Sequence, residues 1–137
     1  MKAELAHANT PDIVRAWISQ TPPWLEVVSL KQPVDSALAH LDAGEREAIS
    51  LASELQAILL LMDERDAVII ARQRGLKVVG TLAALDLGAA HGLVDRQTMF
   101  ERLRATTFRS PLGLMVSLLE QDAERKKRQE GDRNPAL

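Results

Sequence analysis

Four carboxylates in two short stretches are the residues of this chain best suited to chemistry. Glu45 and Glu47 stand in Gly44-Glu45-Arg46-Glu47-Ala48-Ile49, while Asp63 and Asp66 follow the aliphatic run Ala57 to Met62. A short apolar run bounded by charge reads as a strand buried on both faces. Open α/β sheets place ligands at the carboxyl ends of such strands. A carboxylate there, joined by others from a nearby helix, is the raw material of a divalent-metal site. Mg2+ is a hard ion that prefers oxygen ligands and needs only one or two direct carboxylates. Such an ion lowers the pKa of a bound water and offsets charge building on a reacting phosphate. Each acid also has a purely structural explanation: a helix dipole favours Glu45 and Glu47 in a first turn, and Asp63 suits an N-cap.

Other candidates carry less. His7, His40 and His91 lack metal-ligand spacing, and Ser50 and Ser53 have no histidine placed to complete a triad. Gly75 and Gly80 are too sparse for a phosphate-cradling loop. Trp17 and Trp24 read as core residues in preference to base-stacking ones. Arg65, Arg72, Arg74 and Lys77 gather after Asp63, and Arg102, Arg104 and Arg109 form a second group. Both groups suit phosphate neutralisation, and both suit solvated helix faces. Arg125-Lys126-Lys127-Arg128 reads either as an electrostatic arm for RNA or as a helix end favoured by its dipole.

The elements that must position these residues alternate between helix and strand. Thr10-Pro11-Asp12 opens a helix with Thr10 as N-cap, Ile13, Val14, Trp17 and Ile18 form its apolar face, and Pro22-Pro23 ends it. Residues 24–30 read as a strand, and a short helix follows around residues 34–41. Asp42-Ala43-Gly44 reads as a turn before a helix over residues 45–55. The strand over 57–62 leads into a helix that starts at Asp63/Glu64 and closes at Gly75. A strand over 76–79, helices over 82–90 and 96–104 (the latter capped by Asp95), and a helix begun by Ser110-Pro111 complete the series. That pattern means α/β with a largely parallel sheet.

With 137 residues, 46% of them apolar and 26% charged, the chain suits one domain over 1–120, with a charged helix end and a fraying tail over 121–137. A formal charge of −2 advertises no bulk affinity for nucleic acid, so any RNA contact must be local. The absence of cysteine excludes disulfides and thiolate metal sites. No apolar run approaches the roughly 20 residues that span a bilayer, and no signal-peptide pattern opens the chain, so a cytoplasmic location is expected.

The stretch from Leu41 to Val94 reads L-D-x-G-E-x-E-A-I-x-L-A-x-E, then L-L-L-x-D-x-R-D-A, then R-x-x-G-L-x-V-x-G-T-L. It resembles the PIN-domain nucleases, most of all the small bacterial and archaeal predicted nucleic-acid-binding PIN proteins that are similar to VapC-type toxins. Lys2-Ala3-Glu4-Leu5 resembles the family's second acidic motif, and Thr107-Phe108-Arg109-Ser110 is similar to a carboxy-terminal segment of the same subgroup. The resemblance implies a three-layer α/β/α fold with a mostly parallel sheet. It further implies a Mg2+- or Mn2+-dependent ribonuclease of toxin–antitoxin type. Carried residue by residue, it matches Glu4 to the second acid, Glu45 or Glu47 to the third, and Asp63 to the fourth, with Asp66 in reserve. Arg65, Arg72, Arg74, Lys77 and Arg109 are then the RNA-facing cations, and RNA, an antitoxin and further copies of the chain are the implied partners.

One departure stands out. The family's first acid ends a central first strand upstream of the residue matched by Glu4, and no room remains for it here. The fold is therefore expected to be incomplete at the amino terminus, with Met1 standing where a longer natural protein has an internal residue. A sheet lacking its centre exposes strand edges, which predicts oligomerisation or a changed strand order. The missing acid also raises an alternative function, a PIN-like binding or assembly module without turnover.

Overall fold

A computed structural model describes residues 5–108 and 112–133. It divides into two compact units, Met1–Val78 and Val79–Leu137. The first holds α1 (Asp12–Ser19), a 3-10 turn (Ser36–Leu38), α2 (Ala43–Glu54), β1 (Leu60–Leu61) and α3 (Arg65–Gln73), and its end enters β2 (Val78–Val79). The second holds α4 (Thr81–Ala90), α5 (Arg96–Arg104) and α6 (Leu112–Arg133). The class is α/β: helices dominate, and β1–α3–β2 forms a small parallel sheet with β1 beside β2.

The first unit closes over Leu38, Leu41, Ile49, Met62, Ala67 and Ala71, with Leu60, Val68 and Val78 packed against them. Small Ala67 and Ala71, one helical turn apart and both fully buried, let the α3 backbone approach this core closely. In the second unit Leu82, Phe100 and Met115 form the core, joined by Leu85, Leu103, Leu118 and Leu119. Burial of such side chains is worth about 1.5–3 kcal/mol each.

Three helices end on the same device. Gly75 donates to the Arg72 carbonyl at 2.9 Å and Leu76 to that of Ala71 at 3.0 Å. Gly92 and Leu93 make the equivalent bonds to Ala89 and Gly88. Both glycines adopt positive φ, +79° and +71°, the left-handed cap conformation that glycine enters most readily. Gln56 (φ 49°) takes that place after α2 and donates to Ser53, while Ala57 donates to Ala52. A glutamine there carries strain.

Several sequence expectations require correction. Residues 24–30 form no strand; Leu25 closes a turn onto the Pro22 carbonyl, and Lys31 and Gln32 donate their N–H groups to the Glu54 carboxylate at 3.1 and 2.9 Å. The strands over 57–62 and 76–79 contract to two residues each, because the amides of Ala57 and Leu76 are consumed by the caps of the preceding helices. Nor is the first of them buried on both faces: Ile58 is 87% exposed, and Leu59 and Leu61 are more than half exposed. Trp17 and Trp24 are not core residues, being 43% and 74% exposed, with their rings 6.3 Å apart. Pro11, not Thr10, occupies the N-cap position of α1. Residues 34–41 yield only a 3-10 turn, capped where the Asp35 carboxylate accepts the Ala37 N–H.

Candidate metal centre

The predicted acids sit around α2, β1 and the start of α3, elements packed together within the first unit. Asp42 is the N-cap of α2 and forms a capping box with Glu45. The Asp42 N–H donates to Glu45 Oε2 at 3.1 Å, satisfying a backbone donor at the helix entrance. What reads as the turn Asp42-Ala43-Gly44 is therefore a cap followed by the first two helical residues. Glu45 is half-buried and anchored. Glu47 is exposed and lines a pocket of about 190 Å³ with Val34, Asp35, Ser36, Ala39, Ala43 and Arg46.

Asp63 follows the buried Met62 at the exit of β1 and is exposed; Asp66 lies exposed in the first turn of α3, whose N-cap position belongs to Glu64. Among the described residues no three Asp, Glu or His side chains gather into a metal-binding group. Glu4 lies outside the described residues, as does Arg109. The donors that are present are all carboxylate oxygens, which suits a hard divalent ion and excludes a thiolate site.

Arg65, Arg72 and Lys77 are exposed. Arg74 is committed elsewhere, donating to Asp35 Oδ2 at 2.7 Å. The Ala37 N–H and then this guanidinium hold the Asp35 carboxyl below its ordinary range. His7 and His40 are exposed and His91 is the C-cap residue of α4.

The most deeply placed charges belong to the second unit and escape sequence inspection. Arg96 is 4% exposed; its Nε donates to Asp86 Oδ1 at 2.6 Å, and it also pairs with Asp122. Arg125 and Lys126 reach Asp122 at 2.9 and 3.0 Å. Burial pushes the Asp122 carboxyl up, but hydrogen bonds from Arg125 and Lys126 and the charges of Arg96 and Lys126 outweigh it and hold the group at about 2. The Asp122/Arg125/Lys126 spacing is a readable helical pattern, whereas the link from Asp122 to Arg96 and Asp86 is tertiary. Asp95, the N-cap of α5, accepts from the Thr98 N–H and hydroxyl, which hold its carboxyl low.

Among the described residues no helix is long and apolar enough to cross a membrane. No curated protein and no solved structure matches the chain. A family model described as a PIN domain matches residues 2–124, which include all four central acids and most of both units. PIN domains share a nuclease-type fold, generally depend on divalent metal and generally bind nucleic acid. The sequence resemblance, the βαβ unit and the family match agree: this chain belongs to the PIN-domain family.

Proposed function

We propose that the protein is a Mg2+- or Mn2+-dependent endoribonuclease of toxin–antitoxin type. The family match over residues 2–124 carries this reading. Asp63 and one of Glu45 and Glu47 are the acids assigned to the metal, with Glu4 and Asp66 completing the carboxylate set. When bound, the ion supplies a water of lowered pKa and a counter-charge for the scissile phosphate. The chain's own part is to hold oxygen donors at the exit of β1 and the entrance of α2, where two helix amino termini also favour negative charge. The exposed cations Arg65, Arg72 and Lys77, together with Arg109, serve the RNA backbone. Arg74 would join them only by leaving Asp35.

Cleavage of a structured RNA in Mn2+, compared between wild type and Asp63→Asn, tests the assignment. Metal-dependent cleavage that the substitution abolishes supports it, and equal rates in the two proteins would refute it.

A second reading, a PIN-like assembly module without turnover, is favoured by one observation. Ile58, Leu59 and Leu61 are exposed beside a strand of only two residues. Apolar strand edges of this kind invite pairing with another chain. Sedimentation analysis tests it: concentration-dependent association that Leu59→Lys weakens supports the module, and a monomer at all concentrations contradicts it.

A further inference from the structure

The pocket beside Glu47 has a composition that the metal chemistry does not use. Ala43, Arg46 and Glu47, at i, i+3 and i+4, share one face of α2. They meet Val34, Asp35, Ser36 and Ala39 from the segment that carries the 3-10 turn. The buried side chains of Leu38 and Leu41 pin that segment to the core, so this wall of the pocket is preformed. Both Asp35 oxygens already accept, one from the Ala37 N–H and the other from Arg74. Arg46 makes one long bond, from Nη1 to the Ala39 carbonyl at 3.4 Å. Among the described residues neither Arg46 nor Glu47 forms an ion pair. Arg46 and Glu47 thus both line this small concavity with most of their hydrogen-bonding capacity unused. The rest of the lining adds the Ser36 hydroxyl and the apolar surfaces of Val34, Ala39 and Ala43.

We infer that this pocket reads one unpaired base of an RNA, and that the base is guanine. The inference rests on the RNA-directed reading above and deepens it. A space of about 190 Å³ is small beside the range of roughly 300–1,000 Å³ that holds whole drug-sized ligands, so a single ring system is the fitting occupant. Guanine carries two acceptors, O6 and N7, on one edge, and two donors, N1–H and the N2 amine, on the next. An arginine fork matches the first edge. A carboxylate matches the second, and the small apolar side chains face the ring. Adenine offers a carboxylate only its N6 amine, and uracil only N3–H. Unstacked bases in single-stranded RNA expose both edges to such readers. Glu47 then serves the base, which leaves Glu45 as the α2 acid for the metal.

The test is binding of the full chain to short oligouridines that carry one central guanosine, adenosine, cytidine or uridine. Fluorescence anisotropy with EDTA present keeps cleavage out of the measurement. The guanosine oligomer is expected to bind about tenfold or more tightly than the others, since one good bidentate pair is worth about 1–3 kcal/mol of discrimination. Arg46→Met and Glu47→Gln are each expected to reduce that preference to within about twofold, and Arg46→Met is expected to leave Mn2+ affinity unchanged. Equal binding of all four oligomers by wild type overturns the inference while RNA binding stands. A guanosine preference that survives Arg46→Met overturns it as well. Failure of wild type to bind any oligomer overturns it together with the RNA-directed reading.

Discussion

Replacing Asp122 with asparagine perturbs the buried charges of the second unit with almost no change in shape. In the folded chain the Asp122 carboxyl titrates at about 2, against about 3.9 for an unfolded aspartate. That difference corresponds to at most about 2.6 kcal/mol of folding stability. Two of the cations responsible, Arg125 and Lys126, are 46% and 58% exposed, so solvent screening reduces the figure to about 1–1.5 kcal/mol. Arg96, 4% exposed, is one of the charges that hold the carboxyl low, so its share is already included, and it keeps Asp86 Oδ1 and gains the asparagine carbonyl. A loss of about 1–1.5 kcal/mol at neutral pH is therefore expected. Because the carboxyl titrates lower in the folded than in the unfolded chain, its contribution is complete above about pH 4 and disappears as pH falls through about 2. Urea unfolding of both proteins at pH 7, 4 and 2 reads this directly. The wild-type advantage should shrink steadily across the acidic interval. A difference below about 0.5 kcal/mol at pH 7, or one that does not change between pH 4 and 2, would refute the reasoning.

Two further substitutions probe the first unit. Gln56→Gly relieves a left-handed φ of 49° and should stabilise the chain by about 0.5–1 kcal/mol after the extra freedom of glycine in the unfolded state is deducted; thermal unfolding checks it, and a lower midpoint contradicts it. Ser50→Ala removes a buried hydroxyl oxygen that has no hydrogen-bond partner and gains helix propensity, so stabilisation of about 1 kcal/mol is expected in urea titrations. A loss of similar size would mean that the hydroxyl is satisfied in solution.

Local chemistry was legible from the sequence where a single segment closes on itself. Asp95 caps α5 and Gly75 closes α3 as expected, since an aspartate accepts a first-turn amide and that closing turn needs positive φ. Strands were less legible, since a strand exists only where another segment pairs with it. Residues 24–30 have suitable side chains but find no strand to pair with, and β1 begins late because the α2 cap has taken the Ala57 amide. Trp17 and Trp24 follow an apolar pattern that promises a core, yet they pack on each other at the surface. The acids at the entrance of α2 and the exit of β1 were visible as motifs. The pocket that sets Arg46 and Glu47 against Asp35 and Ser36, and the link from Arg96 to Asp86 and Asp122, depend on tertiary packing that no spacing rule encodes.

Titration of the full chain with Mn2+, followed by calorimetry for wild type and Asp63→Asn, bears on the proposed metal centre without needing a substrate. Saturable binding that weakens at least about tenfold on removal of the Asp63 charge is the expected result. Heat that never saturates, or equal affinity in the two proteins, would contradict a cation held at the exit of β1.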